Sequence, residues 1–183
     1  MLSGCASPQP PAATPTPAAT VTATATPAPT PGVNESVQMQ YSYVEKFQAG
    51  IGHYNAGIDA ARRGQALFNG SDFANASRQM AIATESMGVA RASFQSMAQY
   101  AQTPQERNLS EKWQQTAEYA RMGYQNASYA YLEYANQTAS PPPNWVKYNA
   151  YVAQANQNNL LAEQAKQEAE AIERTITLFV PGM

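Results

Sequence analysis

Three short polar breaks partition most of this chain and limit what it can fold into: Asn69-Gly-Ser-Asp72, Thr103-Pro-Gln-Glu106 and Ser140-Pro-Pro-Pro-Asn144. They bound four proline-free runs of roughly 30 residues each, far longer than the 3–10 residues of an ordinary strand and suited to long helices. Thr103 to Glu106 has the form of a capping box, with Thr103 as N-cap, Pro104 at the first helical position and Glu106 reaching back. Inside the second run Phe73, Ala76, Met80, Ala83, Met87, Ala90, Phe94, Met97 and Ala101 recur at alternating spacings of three and four. That period is the apolar face of an amphipathic helix.

The other runs carry matching stripes. The first has Val44, Phe47, Ile51, Tyr54, Ile58, Ala61 and Phe68, and the third has Leu109, Trp113, Ala117, Ala120, Tyr124, Ala127, Tyr131 and Tyr134. The fourth has Tyr148, Tyr151, Ala155, Asn158, Ala162, Ala165, Ala169, Ile172 and Ile176. Folding the first pair back around Gly70 sets Phe47 opposite Phe94 and Ala61 opposite Met80. Folding the last pair around Pro141 sets Tyr134 opposite Tyr148, Tyr131 opposite Tyr151 and Trp113 opposite Ala169. The expected fold class is all-α, an up-down-up-down four-helix bundle over residues 34–183 whose stripes bury one another. Gly50, Gly57 and Gly64 each cost about 1 kcal/mol in a helix interior. Their spacing of seven, level with Ala90, Ala83 and Ala76, predicts a close approach of the first two helices, the alternative being a glycine-lined ligand groove.

Ahead of the bundle, residues 6–33 comprise eight Pro, seven Thr and eight Ala among 28 residues. Methyl-sized side chains cannot offset the entropy of an ordered backbone, so a disordered tether rich in polyproline II is expected. Its reach at about 3.1 Å per residue is on the order of 85 Å. The chain has one cysteine, Cys5, in the sequence Leu2-Ser3-Gly4-Cys5. A lone cysteine makes neither an internal disulfide nor a multi-thiolate metal site. The four residues resemble the lipobox of prokaryotic lipoproteins, and the resemblance implies cleavage before Cys5 and lipidation of its sulfur, with residues 1–5 as the residual lipobox and anchor. A basic and an apolar segment precede such a box, so the exported form is expected to carry residues upstream of Met1. No run of 18 apolar residues occurs, so membrane attachment is expected through Cys5 alone.

The search for chemistry gives absences. His53 is the only histidine, too few for the paired Glu-x-x-His motifs of di-iron bundles. It reads as a helix-surface residue, with acid–base work beside Asp59 or Glu45 as the alternative. There is no P-loop, dinucleotide fingerprint, nucleophile elbow or zinc-protease motif. Glu163, Glu168, Glu170 and Glu173 with Lys166 and Arg174 read as a solvated face supported by a Glu170–Arg174 pair, a divalent-cation site being the alternative. A net charge of -2 gives no reason to expect nucleic acid. No enzyme activity, cofactor or metal is expected.

Two polar features are candidate ligand contacts. Tyr124 and Asn158 share a level, where a phenol-to-amide hydrogen bond would either fix register or floor a small cavity. Tyr131, Tyr134, Tyr148 and Tyr151 gather near the proline run with Trp145, as buried rings with wet hydroxyls or as a stacking platform. Six tripeptides match the N-glycosylation acceptor, at Asn34, Asn69, Asn75, Asn108, Asn126 and Asn136, where composition alone would give about one. Asn75, Asn108 and Asn126 fall well away from the core stripes of their helices. Lipobox, Pro/Thr tether and excess acceptors together resemble an archaeal-type cell-surface lipoprotein. That resemblance implies an extracytoplasmic, non-enzymatic glycoprotein anchored to the membrane by lipid, displaying its bundle for binding an envelope protein or glycan, or for spacing. The competing expectation is a ligand-sensing or solute-capturing bundle with a cavity of at least about 300 Å³.

Overall fold

The computed structural model describes residues 33–139 and 145–176. The Cys5 lipobox, the 6–32 part of the tether, the Ser140–Asn144 break and the last seven residues lie outside the described residues. The fold is the expected all-α four-helix bundle in up-down-up-down order: α1 Val33–Asn69, α2 Phe73–Met97, α3 Pro104–Ala139 and α4 Val146–Glu173. A 3₁₀ turn, Ala98–Tyr100, extends α2 toward Ala101.

The two turns among the described residues follow from their residues. Between α1 and α2, Asp72 N donates to Leu67 O at 2.9 Å, and Ser71 takes the left-handed conformation at φ 65°. Asp72 then caps α2, its Oδ1 accepting from Asn75 N. The capping box forms as its residues dictate: Glu106 Oε2 accepts from Thr103 N at 2.9 Å and from Gln102 N at 2.7 Å, and Thr103 Oγ1 accepts from Glu106 N at 3.1 Å. This junction also holds the start of α1. Tyr43 Oη donates to Glu106 O at 2.7 Å, and Ser36 and Gln102 bond reciprocally at 2.5 and 2.6 Å.

The α2 stripe is buried from Ala76 to Met97 as spaced. Its register with α1 is the expected one: the rings of Phe47 and Phe94 lie 6.4 Å apart. The heptad glycines face α2. A Cβ on Gly57 would lie 2.9 Å from Met87 Cε and 3.3 Å from Ala83 O, and one on Gly64 would lie 3.2 Å from Ala76 O. At Gly50 the neighbour is the Phe94 ring rather than Ala90.

Four expectations are corrected. Trp113, expected opposite Ala169, packs mainly on rings of α1 and α2. Its indole stacks on Phe94 at 5.4 Å and meets the edges of Tyr54 at 5.7 Å and Phe47 at 6.3 Å, because a ring of that length spans the middle of the bundle. Its Nε1 is buried without a hydrogen-bond partner, a polar cost set against burying the rest of the ring. The Tyr131–Tyr151 level is not made, since Tyr131 turns to stack on Phe68 at 4.2 Å and Tyr151 packs on Tyr129 at 5.5 Å. The Glu170–Arg174 ion pair is replaced by Lys166–Glu170 at 3.5 Å and, between helices, Lys112–Glu168 at 2.5 Å. Finally, the stripes do not bury one another on all four sides. Among the described residues no Cα of α1 comes within 8 Å of a Cα of α4.

Gly57→Leu is expected to lower the stability of the bundle by about 1–3 kcal/mol through overpacking against Ala83 and Met87, although helix propensity alone would favour leucine. Circular dichroism melts decide it, and a raised melting temperature would place this edge in solvent. Trp113→Ala should cost about 3–5 kcal/mol, because three rings from two helices lose their common partner. Denaturant titration with an unchanged midpoint would mean that the indole is not a core anchor.

Candidate functional site

The wide side between α1 and α4 is filled in one half of the bundle and empty in the other. Near the start of α1, Tyr43, Tyr54 and Trp113 occupy the middle and pack with Ala162 and Ala169 of α4. In the other half the facing positions are Ala61, Ala127, Ala130 and Ala155, whose methyl groups cannot bridge the gap. What remains is a groove of about 380 Å³, open along one side.

Its floor is apolar, formed by those alanines with Ile58 of α1 and Met80 of α2. Polar groups stand on the walls. Arg62 and Gln65 come from α1, Tyr124 and Tyr131 from α3, and Tyr148, Asn156 and Asn159 from α4. Tyr131 Oη donates to Gln65 Oε1 at 2.7 Å, and Gln65 Nε2 donates to Asn69 Oδ1 at 3.0 Å, so this wall is internally satisfied. The Tyr124 hydroxyl and the amides of Asn156 and Asn159 have no hydrogen-bond partner among the described residues. Arg62 Nη1 reaches Asp59 Oδ1 at 3.3 Å, in a pair with side chains 77% and 60% exposed. Asn159 lies over Gly123, where any Cβ would overlap its amide.

Burial sets the electrostatics of the phenols. It pushes Tyr124 above the usual phenol range, with the Arg62 guanidinium pulling weakly the other way, and it pushes Tyr131 upward with a smaller contribution from Tyr148. Tyr43 and Tyr54, in the filled half, are raised further by the same cause.

Of the candidate ligand residues, the structure brings Tyr124, Tyr131 and Tyr148 to the groove. Asn158 does not line it: the residue is buried in the α3–α4 face, and no hydrogen bond joins it to Tyr124. Tyr134 sits in an aromatic cluster at the end of the bundle, 4.8 Å from Phe73, 5.2 Å from Phe68 and 5.5 Å from Tyr148, with Trp145 at 5.3 Å. Tyr151 lies apart, against Tyr129. Sequence reasoning missed Arg62, Gln65, Asn156 and Asn159. The signal available was the coincidence, at one level, of alanine in the stripes with polar residues beside them.

Asn34, Asn69, Asn75, Asn108 and Asn136 are exposed. Asn126 is half-buried, and its Nδ2 donates to Met122 O at 3.0 Å, so its amide is not presented to solvent as helix geometry alone suggests. His53 is exposed. Among the described residues no three His, Cys, Asp or Glu side chains group as metal ligands, and no helix is long and apolar enough to cross a membrane. No family model, curated protein or solved structure matches the chain.

The four raised phenols give the bundle a pH dependence of known sign. Tyr43, Tyr54, Tyr124 and Tyr131 hold their protons more tightly folded than unfolded, where a phenol ionises near pH 10. Their stabilisation is therefore complete below about pH 10 and lost as pH rises through the folded values. The melting temperature should be level from neutral pH to about 9 and fall above about 10. Tyrosinate absorbance from part of the 11 tyrosines should appear only on unfolding. Simple titration of all of them in the folded protein would contradict this.

Proposed function

We propose that this chain is a non-enzymatic, lipid-anchored protein of the cell envelope that displays a helical bundle on a Pro/Thr-rich tether and binds a small ligand in the groove between α1 and α4. Anchoring rests on Leu2-Ser3-Gly4-Cys5 followed by residues 6–33, in which nothing large enough to build a core surrounds the cysteine. The observation that favours binding over spacing is the groove itself, with its free Tyr124, Asn156 and Asn159 groups above an apolar floor. A spacer has no use for an open side at the cost of lost packing, since native interiors are close-packed. The groove also reaches the lower end of the roughly 300–1,000 Å³ typical of ligand pockets. Five exposed acceptor asparagines support an extracytoplasmic, N-glycosylated protein of the archaeal type.

Expressed with an export signal in a prokaryotic host that lipidates cysteine, the protein should partition into detergent, and Cys5→Ser should move it to the aqueous phase. A Cys5→Ser protein that stays with the membrane would place the anchor elsewhere. In a host with N-glycosylation, peptide mass mapping should find sugar at exposed acceptors and none at Asn126, whose amide is bonded to Met122 O.

A further inference from the structure

We propose that the ligand of the α1–α4 groove is an organic monocarboxylate with an apolar body, its head held at Arg62 and Tyr124 and its body laid on the alanine floor. This rests on reading the groove as a binding site and adds the chemical class.

Charge gives the sign and the count. Among the described residues Arg62 is the only charged side chain of the lining, and no carboxylate lines it. Its pairing with Asp59 is long and exposed, so an incoming carboxylate competes with a weak partner. A ligand cation would meet like charge and find no anion, and a phosphate dianion would find a single counter-charge. Beside Arg62, the Tyr124 hydroxyl is a donor without an acceptor among the described residues, in a setting where burial keeps it protonated. Guanidinium and phenol together suit a carboxylate, which accepts at two oxygens.

The floor gives the body. Ile58, Ala61, Met80, Ala127, Ala130 and Ala155 offer side chains without hydrogen bonds, so a polyol laid on them would strand its hydroxyls, whereas methylene or ring carbon is favoured there. The amides of Asn156 and Asn159 stand on the α4 wall, where they can bond a head group or the water around it.

The test uses the full chain, ¹⁵N-labelled, at low ionic strength, with three probes that share one body: 3-phenylpropionate, 3-phenylpropan-1-ol and 3-phenylpropylamine. The carboxylate should shift the side-chain amide signals of Gln65, Asn156 and Asn159 and bind about tenfold more tightly than the alcohol, with the amine weakest. Arg62→Gln should reduce carboxylate affinity about tenfold and leave the alcohol unchanged. Tyr124→Phe should weaken the carboxylate by a smaller factor, and added salt should erode its preference. Ala127→Leu, which fills the floor, should abolish binding of all three probes while the thermal melt remains cooperative. If the alcohol or amine binds as well as the carboxylate, or Arg62→Gln changes nothing, the carboxylate class is overturned and groove binding stands. If none of the probes shifts the groove amides, the class and the groove reading fall together.

Discussion

The structure depends on how closely α1 can approach α2. Gly57 and Gly64 set the α1 backbone against the carbonyl oxygens of Ala83 and Ala76, leaving no room for even a methyl group without displacement. Gly123 does the corresponding work on the other pair, lying under Asn159 with Ala155 O at 3.5 Å from where a Cβ would be. Two helix pairs are thus drawn tight at one level of the bundle. A helix that leans on one neighbour leaves the other, and it is at this level that α1 and α4 stand apart over the groove. The roughly 1 kcal/mol that each helical glycine costs in backbone entropy is offset by close packing of α1 on α2 and of α3 on α4, and the α1–α4 side is left open.

Side-chain size decides which half of that wide side is filled. Trp113 serves α1, α2 and α3 at once, and Tyr43 and Tyr54 complete a plug that reaches α4. In this half Tyr43 and Ser110 both donate to Glu106 O, while the indole nitrogen is buried without a partner. In the other half alanine replaces the ring and the polar atoms remain available. One bundle therefore has a half packed with aromatic rings and a half whose alanines leave a groove.

Much of this was legible in the residues. Helix bounds followed from the three breaks, the capping box from Thr103 and Glu106, and two interhelical levels from register, Phe47 with Phe94 and Tyr134 with Tyr148. Those features are local or pairwise, and stripe arithmetic is a pairwise instrument. It treats each side chain as facing one partner at its own level. Trp113 and Tyr131 are long enough to turn toward α1, and that choice depends on the third helix, which no pairing of two stripes contains. The groove was legible only in part: Tyr124, Tyr131 and Tyr148 were candidate contacts, whereas its opening between α1 and α4 escaped for the same reason. A stripe shows which face is inside, whereas the width of the fourth side depends on how the other interfaces close. Arg62 and Asn156 flank the stripes, and flanking residues become walls only when two helices separate.

The reciprocal bonds between Ser36 and Gln102, and the Tyr43 bond to Glu106 O, fasten the first turns of α1 to the junction ahead of α3. The 37 residues of α1 run about 55 Å, and the first groove residue, Ile58, lies some 38 Å from the start of the helix. Force entering α1 at its first turns would be met by these bonds before it reached the groove, and shared with the glycine-backed contact to α2. The clasp acts as a strain relief, taking tension at one pole so that the groove at the other is mechanically insulated from whatever tugs on the N-terminal segment.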